Sequence, residues 1–202
     1  MATDNPHGFV PKKHSLGVPL SATINPYYKK SDYAVALFIG DPVVKNSTAN
    51  LATVFAGAED YKSGQLPEVE IGLVAGANTG IMVGKSTRSG NLTTVHSVAS
   101  TEDVILVCDD PFVIFQVQED SDSENAAAAT VGLNYNAILT HAGNAITGIS
   151  GAELDSSSKA ATAGHGFKCL RLAPEQGNAI GANAEWYVLI NDHTEMPGVA
   201  GI

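Results

Sequence analysis

Between residues 102 and 120 stand two strand-length apolar runs with a forced break between them. Val104-Ile105-Leu106-Val107-Cys108 is uninterrupted, and Phe112-Val113-Ile114-Phe115-Gln116-Val117-Gln118 is β-branched and aromatic. The first run is too short for a buried helix and suits a strand. Asp109-Asp110-Pro111 separates the two, because Pro111 has no N–H for a ladder and Asp favours turns. In the second run Val113, Phe115 and Val117 share one face, and Gln116 and Gln118 share the other. The pattern reads as the central hairpin of a β-rich core. Only Glu185-Trp186-Tyr187-Val188-Leu189-Ile190-Asn191 matches it in strength, and it is expected as the strand that closes the sheet.

The rest of the composition agrees with a turn-rich β protein. Among 202 residues there are 20 Gly and 9 Pro, and only 16% are charged. A helical bundle would carry more Glu, Lys, Arg and Leu. Apolar residues reach 44%, enough to rule out disorder by composition and to build a real core. The net charge of −10 lacks the footprint that grips phosphates, so nucleic acid is not expected as a partner. Cys108 and Cys169 sit in apolar, strand-like surroundings and read as buried free thiols rather than a disulfide or a nucleophile. Residues 1–8 are polar, so no signal peptide is expected. No apolar run approaches a membrane span. The chain is expected to be made in the cytoplasm and to stay soluble.

Residues 1–31 read as an extended N-terminal arm. Pro6, Pro11, Pro19 and Pro26 recur too closely for helix. Phe9, Val10, Leu16, Val18, Leu20, Ile24, Tyr27 and Tyr28 dot it with apolar groups, which a disordered tail seldom holds. The arm is expected to lie along a surface, either its own or a neighbour's. Residues 32–195 form a β-rich body, with two lobes at 32–100 and 101–195 as one division, and 196–202 a tail. Strands are expected at 32–40, 43–45, 51–55, 66–73, 81–83, 92–98, 152–155 and 167–172. Residues 56–64, 85–91, 119–125, 143–151 and 156–166 read as loops, and 133–139 is ambiguous. The best helix start is at 126–130. Many short strands with frequent polar turns give the fold class: mainly β, a β-barrel or sandwich body with one short helix and an extended N-terminal arm.

Several motifs tempt and fail. Gly80-Ile81-Met82-Val83-Gly84-Lys85-Ser86 has one residue too few between its glycines for a P-loop, and Thr87-Arg88-Ser89-Gly90-Asn91 is a poor helix start. A hairpin with a basic loop is the better reading. Asp120-Ser121-Asp122-Ser123-Glu124 opens like a calcium loop but lacks its later Gly and Glu. It reads as a solvated acidic loop, with a weak surface cation site as the alternative. His7, His14, His96, His141, His165 and His193 are scattered without ligand-pair spacing, and Gly148-Ile149-Ser150-Gly151 is no nucleophile elbow. The residues supply no catalytic, cofactor-binding or metal constellation.

Five segments taken together resemble a family of tailed-bacteriophage virion proteins encoded with the capsid genes. They are Gly8-Phe9-Val10-Pro11-Lys12-Lys13-His14 with Pro26-Tyr27-Tyr28; Tyr33-Ala34-Val35-Ala36-Leu37-Phe38-Ile39-Gly40-Asp41-Pro42-Val43; Asp109-Asp110-Pro111 with Phe115-Gln116-Val117-Gln118; Gly151-Ala152-Glu153-Leu154-Asp155; and Ala182-Asn183-Ala184-Glu185 through Val188-Leu189-Ile190-Asn191-Asp192-His193. They run in consistent order along nearly the whole chain. The resemblance implies a capsid decoration, or cement, protein. Such a protein is β-rich and without cofactor, binds the outside of the expanded shell, and is made in the bacterial host. Its partners would be the major capsid protein and itself, as a homo-oligomer with a trimer favoured over a dimer. Phe9, Val10, Leu16, Val18, Leu20, Ile24, Tyr27 and Tyr28 become the expected capsid or neighbour contacts, since an arm can add strands or wedges to neighbours. Two other functions compete. A virion-borne host-attachment or carbohydrate-binding module would use exposed aromatics such as Tyr61 or Tyr135. An envelope hydrolase would need a convergent acid/base pair, and Asp109-Asp110 reads instead as a turn cap.

Overall fold

The computed structural model describes residues 3–45, 66–89, 91–122 and 125–201. The strand expected at 51–55 and the loop at 56–64 lie outside those residues. Eleven strands are described: β1 (Val10–His14), β2 (Ile24–Lys29), β3 (Pro42–Lys45), β4 (Val69–Ile71), β5 (Gly80–Lys85), β6 (Asp103–Cys108), β7 (Val113–Gln118), β8 (Asn134–Ile138), β9 (Glu153–Ala160), β10 (Phe167–Leu172) and β11 (Glu185–Ile190). They form two antiparallel sheets, a sandwich-like arrangement rather than a closed barrel. The larger has the order β1-β7-β11-β10-β8-β9, and the smaller β2-β6-β5-β3-β4. The helix expected at 126–130 is a single 3-10 turn over Ala128–Thr130, and a second 3-10 turn spans Leu20–Thr23.

The two strands of the opening stretch are present, but they are not a hairpin. β6 pairs with β2 and β5 in the smaller sheet, and β7 pairs with β1 and β11 in the larger. Both edges of each strand are therefore already taken, and residues 109–112 carry the chain from one sheet to the other. Asp110 shapes that crossing by accepting the Phe112 amide on Oδ1 at 2.8 Å, while its carbonyl accepts the Val113 amide at 3.1 Å. β11 likewise does not close its sheet. It lies inside, between β7 and β10, which suits a strand with Trp186 and Val188 fully buried.

The main core fills the space between the sheets. Phe115, Val117, Trp186, Val188, Phe167 and Tyr135 of the larger sheet meet Ile81 and Cys108 of the smaller one. A second core of Leu37, Val43, Val69, Met82, Ile105 and Val107 belongs to the smaller sheet. That sheet curls on itself, so that Tyr28 on β2 bridges to Glu68 beside β4. The sheet boundary thus falls at the 109–112 crossing.

The N-terminal segment lies on its own body. β1 pairs with β7, and β2 with β6, so the segment gives one strand to each sheet. It docks by a close backbone approach. Gly8 (φ +69°) crosses Gly40 (φ +100°), where a Cβ on Gly8 would come within 2.8 Å of the Gly40 Cα. Phe9 then donates its amide to Gly40 O at 2.9 Å and stacks its ring on Phe167 at 4.2 Å between centroids.

Candidate functional site

The eight expected contact residues divide sharply. Phe9, Tyr27 and Tyr28 are buried in the protein's own core, at 1%, 4% and 7% exposure. They cannot also meet a capsid, which corrects that part of the expectation. The reason is the docking of the segment: Phe9, just before β1, enters the main core, Tyr27 on β2 enters the second, and Tyr28, on the opposite face of β2, is covered where that strand meets residues 67–68. The Tyr27 hydroxyl donates to Asp109 Oδ2 at 2.7 Å, and burial together with that carboxylate raises its pKa. Leu20 and Ile24 are half-buried against the main core. Val10 lines a small apolar groove of about 220 Å³ with Phe9, Ile39, Val83 and Ile149. Leu16 and Val18, by contrast, are exposed, at 74% and 40%.

Those two side chains stand on a pinned turn. His14 Nδ1 accepts the amides of Leu16 at 3.0 Å and Val18 at 3.4 Å, which places the ring proton on Nε2. Nε2 then donates to Asp110 Oδ2 at 3.2 Å. Gly17 takes φ +80°, a left-handed conformation that suits glycine, and donates its amide to His14 O. The Ser15 amide donates to Phe112 O at 2.9 Å, so the turn abuts the crossing between sheets. Phe112 is itself 41% exposed, and its ring meets His14 edge-on. Leu16, Val18 and Phe112 are thus three exposed apolar residues grouped around one buried imidazole. Lys12 and Lys13 are exposed just before it. Sequence reasoning found Leu16 and Val18 but missed Phe112, which reads as the start of a strand, and His14, whose partner lies 96 residues away.

The remaining charged groups are mostly committed to structure. A cleft of about 490 Å³ is lined by Phe38, Asp41, Ile71, Val74, Leu139 and His141. Burial pushes the Asp41 carboxyl up to about 6, but its oxygens already accept Ser150 Oγ and the Phe38 amide. His141 Nδ1 pairs with buried Glu153 at 2.6 Å. His193 Nε2 donates to the carbonyls of Thr79 at 2.6 Å and Asp109 at 3.0 Å, tying the C-terminal region to the residue before β5 and to the crossing. His165 Nδ1 lies 3.3 Å from Asn134 O.

Where the acidic loop meets β9, carboxylate oxygens of Asp120, Asp122 and Asp155 gather within 4.8 Å. The Ser156 amide and hydroxyl donate to Asp120 Oδ1 at 3.1 and 2.7 Å, so the loop is tied to β9 rather than merely solvated. The sequence Gly80–Lys85 is strand β5, not a phosphate loop, and Lys85 points inward to Asp103 instead of belonging to an exposed basic loop. Tyr135, a candidate sugar contact, is fully buried with its hydroxyl on Thr130 Oγ1 at 2.7 Å, and Tyr61 lies outside the described residues. Cys108 and Cys169 are free and buried, as expected, and burial raises their thiols to about 11 and about 12.

No helix among the described residues is long and apolar enough to cross a membrane. No family model, curated protein or solved structure matches the chain.

Proposed function

We propose that this protein is a phage capsid decoration protein, binding the outside of the expanded shell as a homo-oligomer with no cofactor and no chemistry of its own. The observation that carries the reading is the group of exposed apolar residues Leu16, Val18 and Phe112 around the buried His14 ring. Two apolar side chains on a braced turn, with Phe112 of the crossing beside them, suit a partner's surface, and a preorganised surface loses little conformational freedom on binding. Lys12 and Lys13 beside it suit an acidic rim around an apolar recess on the capsid protein. The N-terminal segment contributes by presenting this turn rather than by reaching across subunits. Repetition over a symmetric shell turns modest single contacts into tight retention, and the net charge of −10 keeps decorated particles apart.

The test is co-sedimentation with expanded, undecorated capsids, comparing the native chain with a Leu16→Asp/Val18→Asp double variant. Both positions are exposed, so the variant keeps its thermal midpoint. The native chain saturates at a fixed ratio to the major capsid protein, and the variant loses about 30-fold or more in affinity if either side chain is a hot spot. Absence of saturable binding by the native chain overturns the decoration reading. Unchanged binding by the variant moves the contact surface elsewhere.

A further inference from the structure

Asp103 opens β6 and is fully buried. Lys29 stands directly opposite it on β2, and Lys85 ends β5 on its other flank. Two buried lysines therefore flank one buried carboxylate, and Lys85 is the one at ion-pair distance from it. Lys29 has other partners: its Nζ donates to Val98 O and Thr101 O, both at 2.9 Å. Lys85 does not. Its side chain is 4% exposed, and its nitrogen sits 3.2 Å from Asp103 Oδ1 without the alignment of a hydrogen bond. The carboxylate is meanwhile fixed in orientation by Ser97 Oγ on Oδ2 at 2.7 Å and by Ser89 Oγ on Oδ1. A nitrogen is thus held at contact distance from an immobilised carboxyl group, away from water. His96 is buried nearby, stacked on Phe38, and its Nδ1 has no partner. Burial and the Lys85 charge lower its pKa, so the imidazole rests neutral and holds a proton only in passing.

We infer that Lys85 and Asp103 condense into an intramolecular amide that covalently joins β5 to β6. The Lys85 ammonium gives up a proton to His96, and the free Nζ attacks Asp103 Cγ. The new C–N bond forms, one Cγ–Oδ bond breaks, and that oxygen leaves as water. Both protons of the water come from the original ammonium, relayed through the imidazole, so an ammonium and a carboxylate become one amide and one water with no outside reagent. The Ser89 and Ser97 hydroxyls and the Lys29 charge offset the negative charge that builds on the carboxyl oxygens. The product removes a buried ion pair whose desolvation is costly. Lys29 keeps both of its carbonyl acceptors. The closed ring encloses residues 86–102, which restrains the unfolded chain as any cross-link does.

The test is the intact mass of the denatured full chain, followed by tryptic mapping. The native chain weighs one water less than its sequence, Lys85→Arg and Asp103→Ala weigh what their sequences require, and the digest contains a branched peptide joining residues 85 and 103. A native chain at full sequence mass overturns the inference, and so does a missing water without that branched peptide. If a variant fails to fold, the native mass and digest still decide.

Discussion

Glu119 is fully buried, with Oε2 accepting the Ala126 amide at 2.6 Å and Oε1 without a partner. Burial pushes its carboxyl up to about 7, only partly offset by the Ala126 and Ala184 amides, with Asp120 adding repulsion. Cys169 and Tyr135 sense its charge from the facing strands. Because the folded value lies above the unfolded one, the folded state holds the proton longer. Stability is therefore greatest below the unfolded value and falls as pH rises through the folded one. Asp41, raised to about 6, acts in the same direction. The native chain should lose thermal stability between about pH 5 and pH 8. Glu119→Gln keeps an acceptor for Ala126 and has no charge to bury, so it should remove roughly 3 kcal/mol of that dependence. Melting curves across the range check this, and an unchanged slope in the variant would assign the effect elsewhere.

Strand pairing makes the N-terminal segment part of the fold. Deleting residues 1–28 takes away β1 and most of β2, along with Phe9 and Tyr27 from the two cores and the buried Tyr28. The truncated chain should fail to fold cooperatively, whereas a detachable arm would leave a folded body. Phe9→Ala alone should cost about 3–5 kcal/mol, read from denaturant unfolding, because it empties a stacked, buried ring site. At this scale the sequence was most legible where strands carry dense β-branched and aromatic residues or clear alternation: β6, β7, β10 and β11 are found within a residue or so. What pairs with what was not legible, because the Asp109-Asp110-Pro111 break suits a hairpin and a sheet crossing equally, and the His14 contact that directs it is distant in sequence. β9 runs on through Ser156-Ser157-Ser158-Lys159, which reads as loop because serine carries little strand signal. Residues 32–40 and 92–98, expected as strands, contribute only isolated bridges at Leu37, Ile39 and Ser97. Of the candidate surface, Leu16 and Val18 showed as apolar residues in a Pro- and Gly-rich stretch. The buried Lys29, Lys85 and Asp103 did not, since charged residues read as exposed until a fold encloses them.

For the molecule as a whole, the main core decides whether the two sheets behave as one unit. Cys108 of the smaller sheet lies in the same apolar cluster as Cys169 of the larger. Both thiols should be silent to a disulfide reagent in the native state and should react at one common rate in denaturant, the rate of global unfolding. Two separate rates would show the sheets opening independently. Assembly also has an order imposed by the chain's path. β1 needs β7, about a hundred residues later, and β7 is flanked on its other edge only when β11 appears near the end. During synthesis the first strand must therefore wait, unpaired, until most of the polypeptide has left the ribosome. Such long-range pairing makes for slow folding with an apolar N-terminal segment uncovered meanwhile. A protein that folds in this order and is made in large numbers would then depend on chaperones, or on slow translation, for its yield.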